Sequence, residues 1–120
     1  MPSRDAHLSQ ASHNEALLEA IDRTTYSDGA MTIAFYAALQ YVDAWLAVQG
    51  TDDPGSHDVR DQEIHADPQL VPISRPYFRL KNRSRNARYH VARFTTAEVA
   101  RAIADDLGSI RRHITDLLRA

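Results

Sequence analysis

Between residues 30 and 49 the chain reads AMTIAFYAALQYVDAWLAVQ. Ile33, Ala34, Ala37, Ala38, Tyr41, Val42, Trp45 and Leu46 recur every three to four positions and cover a wide face, which predicts a central bundle helix. The alanines keep that face thin, so a neighbouring helix can approach closely. Gly50 is a natural stop, and Asp52-Asp53-Pro54-Gly55 is turn chemistry. Upstream, Ser12 and Glu15 read as a capping box, followed by a stripe of Ala16, Leu17, Ala20 and Ile21. His13 and Asn14 then sit at a helix start. Leu8 and Ala11 prolong the stripe towards Ser3, so residues 1–11 are either a helix extension or a loose N-terminus. Thr24, Thr25 and Asp28-Gly29 end this helix.

Downstream, a short polar helix is predicted over 57–66, and Pro68, Pro72 and Pro76 punctuate a connector. The next helix covers 76–89, with Tyr77, Leu80, Ser84 and Ala87 inward. Thr95 and Glu98 form a second capping box. It opens a helix whose stripe runs Val99, Ile103, Leu107, Ile110, Ile114 and Leu117. Gly108 inside that stripe costs about 1 kcal/mol relative to alanine and marks a close helix contact. Alternating β-branched runs are missing. The fold class is therefore all-α, an antiparallel four-to-five-helix bundle in one domain over 1–120.

Composition narrows the setting. The 120 residues suit one domain, and 43% hydrophobic residues suffice for one core. With no cysteine, disulfides and thiolate metal sites are excluded. The N-terminal residues lack the apolar stretch of a secretory signal, and no apolar run approaches the roughly 20 residues of a membrane helix. The expected setting is cytoplasmic, with no membrane and no cofactor. Net charge is −2, but its distribution is uneven. Residues 51–68 hold six acids and one base, whereas residues 75–93 hold seven bases and no acid. Such a segment can attract phosphates, or it can be neutralised by the acidic segment across a helix contact.

The stretches HNEALLEAI (13–21), AFYAALQYVDAWLAVQG (34–50), SHDVRDQ (56–62) and YFRLKNRSRNARY (77–89), in this order, resemble the HEPN domain family of small helical bundles. Gln40 stands where related sequences usually place a histidine. The resemblance implies an all-α fold and a homodimer. It also implies RNA or nucleotide binding, in some members as a metal-independent ribonuclease of toxin or defence type with a nucleotidyltransferase-type antitoxin partner. Other members are non-catalytic modules for dimerisation or partner docking. Tyrosine two residues after the histidine is common in the antitoxin-regulated members; here that place is Ala92.

Catalytic members carry an arginine, then a polar residue, then a histidine, with four to six residues between the arginine and the histidine. Metal-free RNA cleavage needs a proton carrier near neutral pKa, which histidine supplies. It also needs a cation for the phosphoryl oxygens, which arginine supplies. Arg85, Asn86 and His90 fit the pattern, as do Arg83 with His90 and Arg60 with His65. Composition alone supplies about two such matches, so position must rank them, and the basic segment favours Arg85, Asn86 and His90 as the catalytic set. On a continuous helix Arg85 and His90 would point about 140° apart, so their meeting requires a helix break between them or a dimer axis. Arg79, Arg83, Arg88 and Tyr89 are the expected nucleic-acid contacts. His57 and Arg60 form a secondary polar site that can face Arg85 and Tyr89. His57, Asp61 and His65 share a helix face with zinc-like spacing but lack a fourth ligand, and an exposed polar face is the preferred reading. Tyr36, Tyr41 and Trp45 are expected in the core or a dimer interface. His7 and His113 belong to no constellation.

Overall fold

The computed structural model describes residues 2–51 and 57–120; the turn expected at 52–55 lies outside the described residues. All elements are helical: α1 (Arg4–Ala20), α2 (Ser27–Val48), α3 (His57–Ala66), a 3₁₀ turn (Val71–Ile73), α4 (Ser74–Tyr89), α5 (Thr96–Arg101), a π-helical segment (Ala102–Leu107) and α6 (Gly108–Arg119). The backbone stays helical through Ala102 and Gly108, so residues 96–119 form one rod with a wide turn inside it.

α2 is the axis, in contact with α1, α4, α5, the π segment and α6. Its Ala34, Ala37, Ala38 and Ala44 are fully buried beside Met31, Phe35, Val42 and Leu46. Small residues let the neighbours close in, and each fully buried large side chain contributes about 1.5–3 kcal/mol. α2 is also long and apolar enough to cross a membrane, but most of its apolar length is buried inside the bundle. It ends in a Schellman motif. Gly50, at φ +73°, is the left-handed residue; its N–H donates to Ala47 and the Thr51 N–H to Leu46. Arg88, near the end of α4, meets Tyr36, and Phe94, beyond that end, meets Ser27 at the start of α2, so the chain leaves α4 towards the N-terminal end of α2. The radius of gyration, 13.7 Å, matches the ~13.6 Å of a single 120-residue domain.

Several local expectations shift. α1 is capped by Ser3, whose hydroxyl accepts from the Ala6 N–H at 3.1 Å, and runs straight through Ser12. Nothing in RDAHLSQA breaks a helix, so the earlier cap prevails over the Ser12 box, and His13 and Asn14 sit mid-helix. The buried side is His7, Ala11 and Leu18, while Leu17 is exposed. The break before α2 belongs to Asp22, whose carboxylate accepts from Thr24 and Thr25. The Thr25 bonds hold its pKa below the usual carboxylate range. Asp28 and Gly29 lie in the first turns of α2. Pro72 opens the 3₁₀ turn and Pro76 sits in the first turn of α4, where a missing N–H costs little. The Thr95–Glu98 capping box forms as expected; the Thr95 backbone N–H, with its hydroxyl, holds the Glu98 carboxyl low. At Gly108, which is buried, the atoms nearest an added Cβ belong to its own rod, the Arg112 guanidinium first at 3.1 Å.

Candidate functional site

On α4, Tyr77, Lys81, Ser84 and Arg88 follow at spacings of four, three and four, so they share one face. That face is polar, yet Tyr77 and Ser84 are fully buried. Opposite it, Arg60 of α3 donates from Nε and Nη2 to the two carboxylate oxygens of Asp43 on α2, at 2.7 and 2.9 Å. This is a bidentate pair with both side chains more than nine-tenths buried. Burial works against the Arg60 charge, and the Asp43 bonds more than restore it, so its pKa rises. Lys81 donates to Asp61. The Tyr77 hydroxyl, the Ser84 hydroxyl and one Asp61 oxygen are buried without a hydrogen-bond partner among the described residues. Burial pushes the Tyr77 phenol strongly upward.

This polar seam opens into a pocket of about 460 Å³. Its cationic wall is Lys81, Arg85 and Arg88; Tyr36 and Tyr89 flank it, and His57 stands at its α3 side. Asp58 is the acid on its rim. Arg88 donates to the Tyr36 hydroxyl, and its guanidinium lies 5.6 Å from the Tyr36 ring centroid and 5.4 Å from that of Tyr89. Two cation–π contacts therefore hold it in place. Its Nε is buried and has no partner among the described residues. Arg85 is exposed, with no ion pair among the described residues. The His57 ring leans on Phe35 at 5.9 Å, and its Nδ1 lies 3.4 Å from Arg60 Nη1. An arginine can only donate, so Nδ1 is the acceptor and the neutral ring carries its proton on Nε2. Burial, then the Arg60 and Lys81 charges, hold the His57 pKa below the ordinary imidazole value. The result is an uncharged imidazole beside two available guanidiniums.

The predicted residues divide between places. Arg85, Arg88, Tyr89 and His57 come together here, with Arg60 directly behind His57, so the primary and secondary sites are one. Asn86 and His90 are exposed and do not line this pocket. His90 caps α4 in an extended conformation. Arg79 and Arg83 lie on another face of α4, where both contact the buried Asp106, at 2.8 and 3.5 Å. Asp106 holds the Arg79 pKa up. Arg93 reaches Asp28 at 3.6 Å. Half-neutralisation of the basic segment is thus the outcome, through Asp61, Asp106 and Asp28. Asp61 goes to Lys81, and His65 stacks on Phe78 at 4.9 Å, so neither joins His57 as a ligand set. Tyr41 and Trp45 are core residues, but Tyr36 is exposed enough to form a wall. Tyr41 also donates to Glu15, which takes Arg111 as well; burial and that carboxylate push the phenol up to about 12. Asp43 and Lys81 escaped sequence reasoning, although the i, i+4 spacing of Tyr77 and Lys81 was a usable signal.

Comparison with protein-family models, with curated proteins and with solved structures finds no match.

Proposed function

We propose that this chain is a HEPN-like RNA- or nucleotide-binding protein whose phosphate seat is the pocket of His57, Arg85 and Arg88. The observation that supports this most is a pair of guanidiniums, without carboxylate partners among the described residues, meeting the His57 imidazole between two tyrosines. Guanidinium forks match phosphate oxygens, tyrosine rings stack on bases, and a neutral imidazole adds a donor without repelling the arginines. A cytoplasmic setting goes with this reading. The test is fluorescence anisotropy of a short labelled single-stranded RNA across a salt series. Arg85→Ala and Arg88→Ala should each weaken binding and reduce the salt slope by about 0.7, whereas Arg79→Ala should not. Equal binding by all three variants overturns the assignment of the seat.

The ribonuclease form of this reading places His57, rather than His90, at the scissile phosphate, its Nε2–H donating to a phosphoryl oxygen beside Arg85 and Arg88 while the 2′-oxygen attacks phosphorus, the P–O5′ bond breaks, and water takes the 2′-hydroxyl proton and supplies one to the leaving 5′-oxygen. RNA incubated with a chelator should then be cut by the wild type and by His90→Ala but not by His57→Ala. Loss with His90→Ala alone would restore the Arg85–His90 pair across a dimer axis. A docking module built on a homodimer is the competing reading. It draws on the exposure of Tyr89 and Val91 at the end of α4, and it prevails if RNA does not bind even at low salt.

A further inference from the structure

We propose that a second cleft, on the other side of Tyr36, seats a nucleobase, with adenine the best fit. This rests on the phosphate reading for where the rest of the nucleotide lies. The cleft lies between α1 and α2, has a volume of about 370 Å³, and is lined by Gln10, Asn14, Ile33, Tyr36 and Gln40. That volume is within the roughly 300–1,000 Å³ of small-molecule sites. Tyr36 also lines the cationic pocket, so one aromatic ring separates the two.

The cleft's chemistry differs from that of its neighbour. None of its lining residues is charged, so it has nothing to hold a phosphate. It has two apolar surfaces, Ile33 and the Tyr36 ring, and three amides. Gln10 Nε2 donates to Asn14 Oδ1 at 3.0 Å. Gln40 Oε1 lies 2.8 Å from Nδ1 of the buried His7, which fixes the orientation of that amide. Asn14 Nδ2 and Gln40 Nε2 are left as donors and Gln10 Oε1 as an acceptor, none with a partner among the described residues. Amide donors and an acceptor beside an aliphatic surface and one aromatic ring are what a base edge requires. A side-chain amide matches the N6 and N7 pair of adenine, whereas guanine is read by arginine or lysine, which this cleft lacks. The base then stacks on Tyr36 while the phosphate reaches Arg85 and Arg88.

Isothermal titration of the full chain with AMP, UMP, ribose 5-phosphate and adenosine tests this. Wild type should bind AMP roughly 5- to 100-fold more tightly than UMP or ribose 5-phosphate. Asn14→Ala and Gln10→Ala should remove most of that advantage and leave ribose 5-phosphate affinity unchanged. Both put the best helix former on an accessible position of α1, and circular dichroism verifies the fold. Equal affinity for AMP and ribose 5-phosphate overturns the base cleft while the phosphate seat stands. Equal affinity for AMP and UMP overturns the adenine assignment. Asn14-dependent adenosine binding without ribose 5-phosphate binding keeps the cleft and removes the phosphate seat. If no probe binds, both are wrong.

Discussion

Breaking the Asp43–Arg60 pair should harm the protein asymmetrically. Both side chains are more than nine-tenths buried, and two hydrogen bonds of 2.7 and 2.9 Å join them. At ~4 Å and an effective dielectric constant near 20 the attraction is about 4 kcal/mol. Removing one partner of such a pair costs about 3–5 kcal/mol, because the other charge stays buried. Total stability for a domain of this size is about 5–15 kcal/mol, so the loss is a large fraction of it. Asp43→Leu orphans a guanidinium that cannot lose its proton and that already lies beside His57, and should cost the full 3–5 kcal/mol at every accessible pH. Arg60→Met orphans a carboxyl instead. Burial without its partner raises the folded-state pKa of that carboxyl above its unfolded value near 3.9. The folded state then binds more protons, so this variant should regain stability as pH falls from 7 towards 5. The double variant Asp43→Leu/Arg60→Met has no buried charge left at this point and should lie within about 1 kcal/mol of wild type.

Urea denaturation followed by the fluorescence of the single tryptophan, Trp45, reads all three. The ring is buried, and its N–H donates to Asp67 at 2.9 Å, so unfolding changes its environment sharply. The reasoning is refuted if Asp43→Leu costs less than about 1 kcal/mol, or if the double variant is no more stable than Asp43→Leu. Recovery of Asp43→Leu at low pH would equally refute the claimed asymmetry.

Two further outcomes follow from the same structure. The depressed His57 pKa means that the unfolded chain takes up its proton first, near pH 6.5. His57 should therefore leave stability intact above that pH and cause a loss as pH falls below it; an NMR titration of the ring with a midpoint at or above 6.5 would contradict this. Gly108 has ordinary helical angles, φ −59° and ψ −42°, and its added Cβ would meet only the movable end of Arg112 closely, at 3.1 Å. Gly108→Ala should stabilise by about 0.5–1 kcal/mol, seen as a melting temperature about 2–5 °C higher; a lower one would show that Arg112 cannot move aside.

The periodic part of this fold was legible. The Val99 to Leu117 stripe, the α2 face, the α3 bounds and the Gly50 stop all follow from side-chain size and spacing, which act within one helix. What was not legible depends on partners from other helices. The Ser12 box was a sound local motif, but a helix already running from Ser3 leaves it nothing to cap. Leu17 looked inward by hydrophobicity alone. α1 instead turns Leu18 inward, because His7 and Ala11 share that face and His7 has Gln40 to bond. The π segment turns Asp106 inward next to Leu107, and no heptad count foresees an extra residue in a turn. The candidate site was legible as a region, residues 57–60 joined to 85–89. Which bases are free was not, because Asp61, Asp106 and Asp28 are distant in sequence from the cations they neutralise.

The buried polar seam needs a physical account, since apolar side chains of similar volume would leave this bundle as stable or more so. Its order along α4 supplies one. Tyr77 and Ser84 are fully enclosed and Lys81 nearly so, Arg88 is half-buried, and Tyr89 is exposed. Polarity thus continues without interruption from the core to the pocket mouth. Each buried pair holds a pocket residue: Asp43 fixes Arg60, whose Nη1 sets the His57 tautomer, and Asp61 fixes Lys81 beneath Arg85 and Arg88. An apolar seam would pack as well, but it would leave His57 free to rotate and to take up a proton. The contrast with Arg79 and Arg83 sharpens the point. Those arginines also meet a buried carboxylate, Asp106, yet there the cations are the exposed partners and the acid is buried, so the charge that reaches solvent is partly offset from beneath. At the pocket the buried acids neutralise Arg60 and Lys81 and leave Arg85 and Arg88 available. The same helix therefore carries a face whose arginines contact a buried acid and a face whose arginines, among the described residues, contact none.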